Sequence, residues 1–189
     1  MTQTPFLIYG AYGYTGELCA RMAAEQGLNV VLAGRDPGRL ERVADRYGLP
    51  SRAFGLEDKR ALDRGLDGVG AVLHCAGPFA RTWASMLDAC VRTGVHYLDI
   101  TGEIEVFESI AARRDALDSA GIMALPGAGF DVVPSDCLAA HLKQAMPDAT
   151  SLDLGIQFGG GISHGTAATV VENLHRGGAV RRNGRIEQC

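Results

Sequence analysis

The sequence predicts an α/β chain: a doubly wound parallel sheet, then the start of a second, mixed α/β domain. Three observations predict it. Short continuous apolar runs alternate with helix-period stripes through residues 1–128. The first apolar run ends in a glycine-rich turn that opens a helix. Beyond residue 128 the apolar spacing changes to a period of two, the mark of a sheet with one covered face.

Phe6-Leu7-Ile8-Tyr9 is the first strand and runs into Gly10-Ala11-Tyr12-Gly13-Tyr14-Thr15-Gly16. A helix follows, then a second strand, Asn29-Val30-Val31-Leu32-Ala33, ending on Gly34-Arg35. Leu40, Val43, Ala44 and Tyr47 fall on one helix face. A short strand at Ser51–Phe54 and a short helix near Asp58–Leu66 come next. The fourth strand is Gly70–Cys75, and Trp83, Met86, Leu87, Cys90 and Val91 are the core face of the helix after it. Tyr97–Ile100 is the fifth strand, Val106, Phe107, Ile110 and Leu117 stripe one long helix, and Ile122–Leu125 is the sixth strand. Crossover handedness and the position of the turn predict the order 3-2-1-4-5-6.

The second domain is expected over 129–189, after a first domain of 1–128. It opens with a helix from about Pro134 to Gln144. Leu152, Leu154, Ile156 and Phe158 then alternate with polar residues as a strand, and Ala167, Val170, Val171 and Leu174 mark a helix. Asn183-Gly184 is a hairpin turn signal, with Cys189 ending the sequence as the return strand begins. The reading is a domain cut short, or one that another chain completes, with a homo-oligomer through its sheet as the corresponding expectation.

The glycine loop carries the first chemistry. Gly10 turns the chain sharply off its strand, Gly13 admits a pyrophosphate close to backbone N–H groups, and Gly16 lets the helix pack against the sheet. An anion is then favoured at the helix N-terminus by unpaired N–H groups and the positive dipole end. With Tyr12, Tyr14 and Thr15 between them, these glycines read as a dinucleotide cradle of the Rossmann type. The tip of the second strand selects the nucleotide. NAD-binding units place a carboxylate there, whereas this chain has Arg35, whose guanidinium suits a 2′-phosphate. The expected cofactor is therefore NADP(H) ahead of NAD(H). Arg39 is placed for a second contact, and Asp36, next to Pro37, reads as the cap of the following helix.

Composition excludes other classes. A net charge of −4 gives no electrostatic case for nucleic acid or an anionic membrane. Five cysteines show no metal-ligand spacing and read as reduced, mostly buried thiols of a cytoplasmic protein. No metal site, signal peptide or membrane-spanning run is expected.

Four segments together resemble the saccharopine dehydrogenase-like oxidoreductases, in particular their trans-acting enoyl reductase branch. They are Gly10–Gly16, His74-Cys75-Ala76-Gly77-Pro78-Phe79, Tyr97-Leu98-Asp99-Ile100-Thr101-Gly102-Glu103 and Gly129-Phe130-Asp131-Val132-Val133-Pro134-Ser135-Asp136. The resemblance implies an NAD(P)-dependent oxidoreductase with a Rossmann domain and a separate α/β domain that closes over a small-molecule substrate.

In open α/β sheets ligands bind beyond the carboxyl ends of the strands, where the order reverses. Ala76, Gly77 and Pro78 leave the fourth strand there, and their backbone either lines the nicotinamide ribose or forms a plain turn. Asp99, Thr101 and Glu103 leave the fifth strand on the same edge. Thr101 is a ligand contact or a helix cap, and Glu103 a general acid, a substrate clamp or a favourable first-turn acid. Asp131 reads equally as a hinge or a site residue, Ser135 and Asp136 as caps, His164 as a candidate substrate contact, and His74 as a locally bonded strand-end residue. Hydride transfer needs no protein nucleophile, so no catalytic residue is assigned beyond the candidates Glu103, Asp131 and His164. The activity expected is hydride transfer to or from a C=C or C=N bond. The competing reading is a non-catalytic NADP(H)-binding sensor or scaffold module.

Overall fold

A computed structural model describes residues 4–157, 178–182 and 185–188. The chain divides into two compact units, Met1–Ile156 and Gln157–Cys189. The first begins with β1 (Phe6–Tyr9), α1 (Tyr14–Glu25), β2 (Val30–Gly34), α2 (Pro37–Tyr47), β3 (Ser51–Ala53), α3 (Lys59–Gly65) and β4 (Ala71–His74). It continues with α4 (Phe79–Thr93), β5 (His96–Asp99), α5 (Ile104–Ala111), α6 (Arg114–Ala120), β6 (Ala124–Leu125) and α7 (Val133–Ala145). Within the second unit, β7 (Ala179–Arg182) pairs antiparallel with β8 (Arg185–Gln188).

The first-unit sheet has the order β3-β2-β1-β4-β5-β6, as the sequence predicts, and every pairing in it is parallel. Because strand side chains alternate, the sheet builds a core on each face. Leu7, Val31, Val72 and Tyr97 point to one face, against Met86, Leu87 and Cys90 of α4. Ile8, Val30 and Leu32 point to the other, against Ala20 and Ala23 of α1 and Leu40 and Val43 of α2. The parallel register sets one line across four strands: Ala33 opposite Tyr9, Tyr9 opposite His74, His74 opposite Asp99. Each strand's loop leaves just beyond that line, so the register itself gathers the site.

Three elements differ from expectation. The long helix predicted through Leu117 is two helices, α5 and α6, broken at Ala112–Arg113. Arg113 there turns to α4, its guanidinium 4.8 Å from the Trp83 ring centroid and paired with Asp88. Residues 151–157 form no strand, and Leu152, Leu154 and Ile156 stand exposed. An alternating pattern makes a strand only where a neighbour completes the ladder, and no described residue does so here. The return strand, expected beyond the sequence, is β8. The hairpin turn Asn183-Gly184 and the helix expected around Ala167–Leu174 lie outside the described residues.

His74 is fully buried, and its Nε2–H donates to the Thr82 hydroxyl at 3.0 Å. That hydroxyl's own proton goes to the Ala76 and Pro78 carbonyls, which fixes the tautomer. Nδ1 is buried without a partner, and burial pulls the imidazole pKa down to about 3. The ring therefore stays neutral in the fold while an unfolded His74 takes a proton below about pH 6.5. As pH falls from 6.5 toward 3 the unfolded state alone gains that proton, so stability drops, by about tenfold in the folding equilibrium per pH unit. Urea unfolding at pH 7, 6 and 5 measures the slope. Replacement by glutamine, H74Q, is expected to remove this contribution to it.

Candidate functional site

The site is the crevice between the carboxyl ends of β1 and β4. Gly10 sits there with φ +84, and a Cβ on it would lie 3.0 Å from both N and Cβ of Ala76. Glycine is required on both counts, conformation and space. A Cβ on Gly16 would overlap the Gly10 carbonyl oxygen. The β1 end, the α1 start and the β4 turn thus meet at atoms that only glycine leaves free. α1 begins after Gly13, which has no side chain to cap the first N–H groups. Glu17, in the first turn, pairs with Arg46 of α2 and accepts from the Tyr47 hydroxyl at 3.4 Å.

Tyr12 ties the glycine loop to the tip of β2. Its ring covers Gly34, where a Cβ would collide with it, and its hydroxyl accepts the Asp36 N–H at 3.3 Å. The Arg39 guanidinium lies 4.5 Å from the ring centroid. Asp36 Oδ1 accepts the Arg39 N–H at 3.0 Å, so Asp36 caps α2 as expected. Arg35 is exposed at the strand tip beside this assembly. A recess of about 180 Å³ lies nearby, lined by Tyr12, Glu17, Arg39, Arg42, Val43 and Arg46. The sequence pattern did not disclose the bridging role of Tyr12. Its available signal was Gly34, a residue small enough to sit under an aromatic ring.

At the other side of the crevice the chain turns through Ala76-Gly77-Pro78 into α4, with a cis bond before Pro78. Glu103 reaches this turn from the β5 loop. Its Oε1 accepts the Phe79 N–H and its Oε2 the Ala80 N–H, each at 2.9 Å. Both oxygens of the proposed general acid are thereby engaged at the start of α4. Thr101 is fully buried, and its hydroxyl accepts the Glu103 N–H at 3.0 Å. It stands two residues before the α5 cap position, which Glu103 occupies, so Thr101 is no helix cap. Asp99, fully buried, organises the base of the loops. Its Oδ1 accepts the N–H of Thr101 at 3.0 Å and of Gly127 at 2.9 Å, while Oδ2 accepts the Tyr97 hydroxyl at 2.6 Å. Burial, followed by the adjacent Asp99, pushes the Tyr97 hydroxyl pKa far up, so it remains a donor.

Asp131 is exposed and leans over Gly102, where a Cβ would lie 3.2 Å from Oδ2. From the segment after β6 it therefore approaches the β5 loop that carries Glu103. Ser135 and Asp136 do not cap α7. The cap position is Val132, and Ser135, inside the first turn, donates back to the Val132 carbonyl at 3.0 Å. His164 lies outside the described residues. Among the described residues no cluster of His, Cys, Asp or Glu is arranged to hold a metal ion, and no helix is long and apolar enough to cross a membrane. Cys90 is buried, Cys19 and Cys75 are half-buried, and Cys137 is exposed, where the sequence reading had most of them inside.

Residues 6–125 match the family described as the saccharopine dehydrogenase NADP-binding domain. The chain belongs to this family. It is 30% identical to a trans-acting enoyl reductase of Mycobacterium ulcerans over 76% of this chain and 37% of the relative. It is 26% identical to a saccharopine dehydrogenase-like oxidoreductase of Mus musculus, over 76% of this chain and 39% of that one. The fold superimposes on the apo saccharopine dehydrogenase (L-Glu forming) of Saccharomyces cerevisiae with a TM-score of 0.70 at 16% identity, covering 98% of this chain and 44% of the other. The chain thus spans under half the length of these relatives. As an NADP-binding domain it needs a cradle for a pyrophosphate and a cation for a 2′-phosphate, and the bare α1 start and Arg35 fit those needs.

Two measurements check this geometry. Replacing Asp99 by alanine strands three buried donors and is expected to cost at least about 3 kcal/mol in chemical denaturation. Asparagine at the same position should cost less than half as much, because its oxygen keeps both N–H bonds and the Tyr97 hydroxyl can turn to accept. Cys19 of α1 provides the second. The Cys75 thiol donates to its sulfur, and this lowers the Cys19 pKa to about 7 against the opposing effect of burial. Burial pushes Cys90 up to about 12. Iodoacetamide labelling resolved by mass spectrometry should therefore rise through a midpoint near pH 7 at Cys19 and leave Cys90 unlabelled. The C75A variant, which removes that donor, should move the Cys19 midpoint above the free-thiol value of about 8.5, because burial then acts unopposed.

Proposed function

We propose that this chain is the nucleotide-binding part of an NADP(H)-dependent oxidoreductase that moves a hydride to or from a C=C or C=N bond of a small-molecule substrate. The observation that carries the reading is the convergence at Gly10. The α1 start, which has no side-chain cap, opens against the β4 turn, at the point where the strand order reverses. The names of the relatives, an enoyl reductase and a saccharopine dehydrogenase-like oxidoreductase, support the reaction class.

The roles follow from the geometry. The N–H groups at the start of α1 receive the pyrophosphate, with Gly13 and Gly16 keeping side chains away. Arg35 pairs with the 2′-phosphate, and Tyr12 holds the β2 tip against the glycine loop so that this pairing is preorganised. The backbone of Ala76, Gly77 and Pro78 flanks the nicotinamide ribose. When bound, the nicotinamide supplies or accepts the hydride. With both Glu103 oxygens engaged, Asp131 is the carboxylate exposed beside that loop to serve a proton.

Calorimetric titration with NADPH and NADH tests the reading. NADPH should bind well ahead of NADH. The R35A variant should lose about tenfold to a hundredfold in NADPH affinity, the cost of removing a charge-assisted contact, and less than about twofold in NADH affinity. Equal losses for both nucleotides would remove Arg35 from the 2′-phosphate site.

A further inference from the structure

We propose that Glu103 is a positioning residue that holds the β4–α4 turn in place for the nicotinamide half of the dinucleotide. The inference rests on the NADP(H) reading of the crevice. It assigns Glu103 a task other than proton transfer.

The Ala76-Gly77-Pro78 turn is fixed at both ends. At the near end Ala76 abuts Gly10, and its carbonyl accepts the Thr82 hydroxyl at 2.8 Å. At the far end the Phe79 and Ala80 N–H groups are held by the two oxygens of Glu103. Those N–H groups are the first of α4, where unpaired donors and the dipole favour an anion. A carboxylate satisfies both at once, whereas an amide offers a single acceptor oxygen. Glu103 is itself held from behind, by the Thr101 hydroxyl on its N–H and by Asp99 on the Thr101 N–H. The chain of contacts runs from a buried carboxylate at the end of β5 to the backbone beside the crevice. It bypasses the glycine loop and the β2 tip.

This separation gives the test. Adenosine 2′,5′-bisphosphate probes only the half anchored by the β2 tip, whereas NADPH probes both halves. The single tryptophan, Trp83, lies on α4 one turn beyond the Glu103 contacts, so energy transfer from it to reduced nicotinamide reports on that half. The E103Q variant, nearly the same shape, should bind adenosine 2′,5′-bisphosphate within about twofold of the parent. It should bind NADPH about tenfold more weakly and show reduced transfer from Trp83. E103A should lose more, on the same ligand only. Equal weakening of both ligands would make Glu103 a general structural residue and overturn the proposal, as would unchanged NADPH affinity and transfer in E103Q. A parent protein that binds neither ligand would overturn the NADP(H) reading itself and this inference with it.

Discussion

The rest of the site depends on close approach at Gly10. Parallel pairing puts β1 between β2 and β4, with Tyr9 opposite both Ala33 and His74. The next residue of β1 must then leave the sheet while the β4 chain passes beside it at Ala76. A side chain at Gly10 would push Ala76 away, and one at Gly16 would push α1 off the Gly10 carbonyl. Either displacement would widen the crevice and rotate the α1 N–H groups from it. Three chain segments far apart in sequence are thus brought to one point by the absence of two methyl groups.

Carboxylates divide the helix starts at this edge. Asp36 closes α2, Asp58 closes α3 by accepting from Arg60 and Ala61, and Glu103 closes α4. α1 starts on glycine. Each capped start has its N–H groups and dipole already matched to an anion, so a further anion there meets like charge instead of donors. Of the four helices that follow β1 to β4, α1 alone is thus left with first N–H groups that no carboxylate occupies. Arg35, Arg39 and Arg42 lie on the side toward β2 and α2, which extends the field favourable to an anion on that side.

Much of this was legible in the sequence because it is local. The apolar runs gave the strands, the glycine spacing placed the turn, and Asp36 beside Pro37 announced a cap three residues before its donor. Parallel strands joined by crossovers restrict the order, and the order sets the crevice. What remained hidden was non-local. Glu103 meets N–H groups more than twenty residues upstream, Asp99 meets Gly127 across two helices, and Arg113 breaks a helix by reaching α4. No periodicity within one element encodes such a contact. The misread caps fail for a related reason: Thr101, Ser135 and Asp136 are the right residue types within reach of a helix start, and one or two residues decide which N–H each can face.

The same division separates the two halves of the crevice physically. The β2 side of the crevice is built from consecutive residues, Gly10 to Gly16 and Gly34 to Arg39, joined by a single aromatic ring. The β5 side of the crevice is built from polar contacts between β4, β5 and the loop after β6. Buried hydrogen-bond networks hold a backbone to one geometry but lose much of that hold when one member goes. The consecutive residues of the β1 and β2 tips are therefore independent of the β5 loop, whereas the β4 turn depends on it. A fold arranged this way gathers its sensitivity to substitution in the network of residues 99–103 and 127, apart from the consecutive residues that build the β1 and β2 tips.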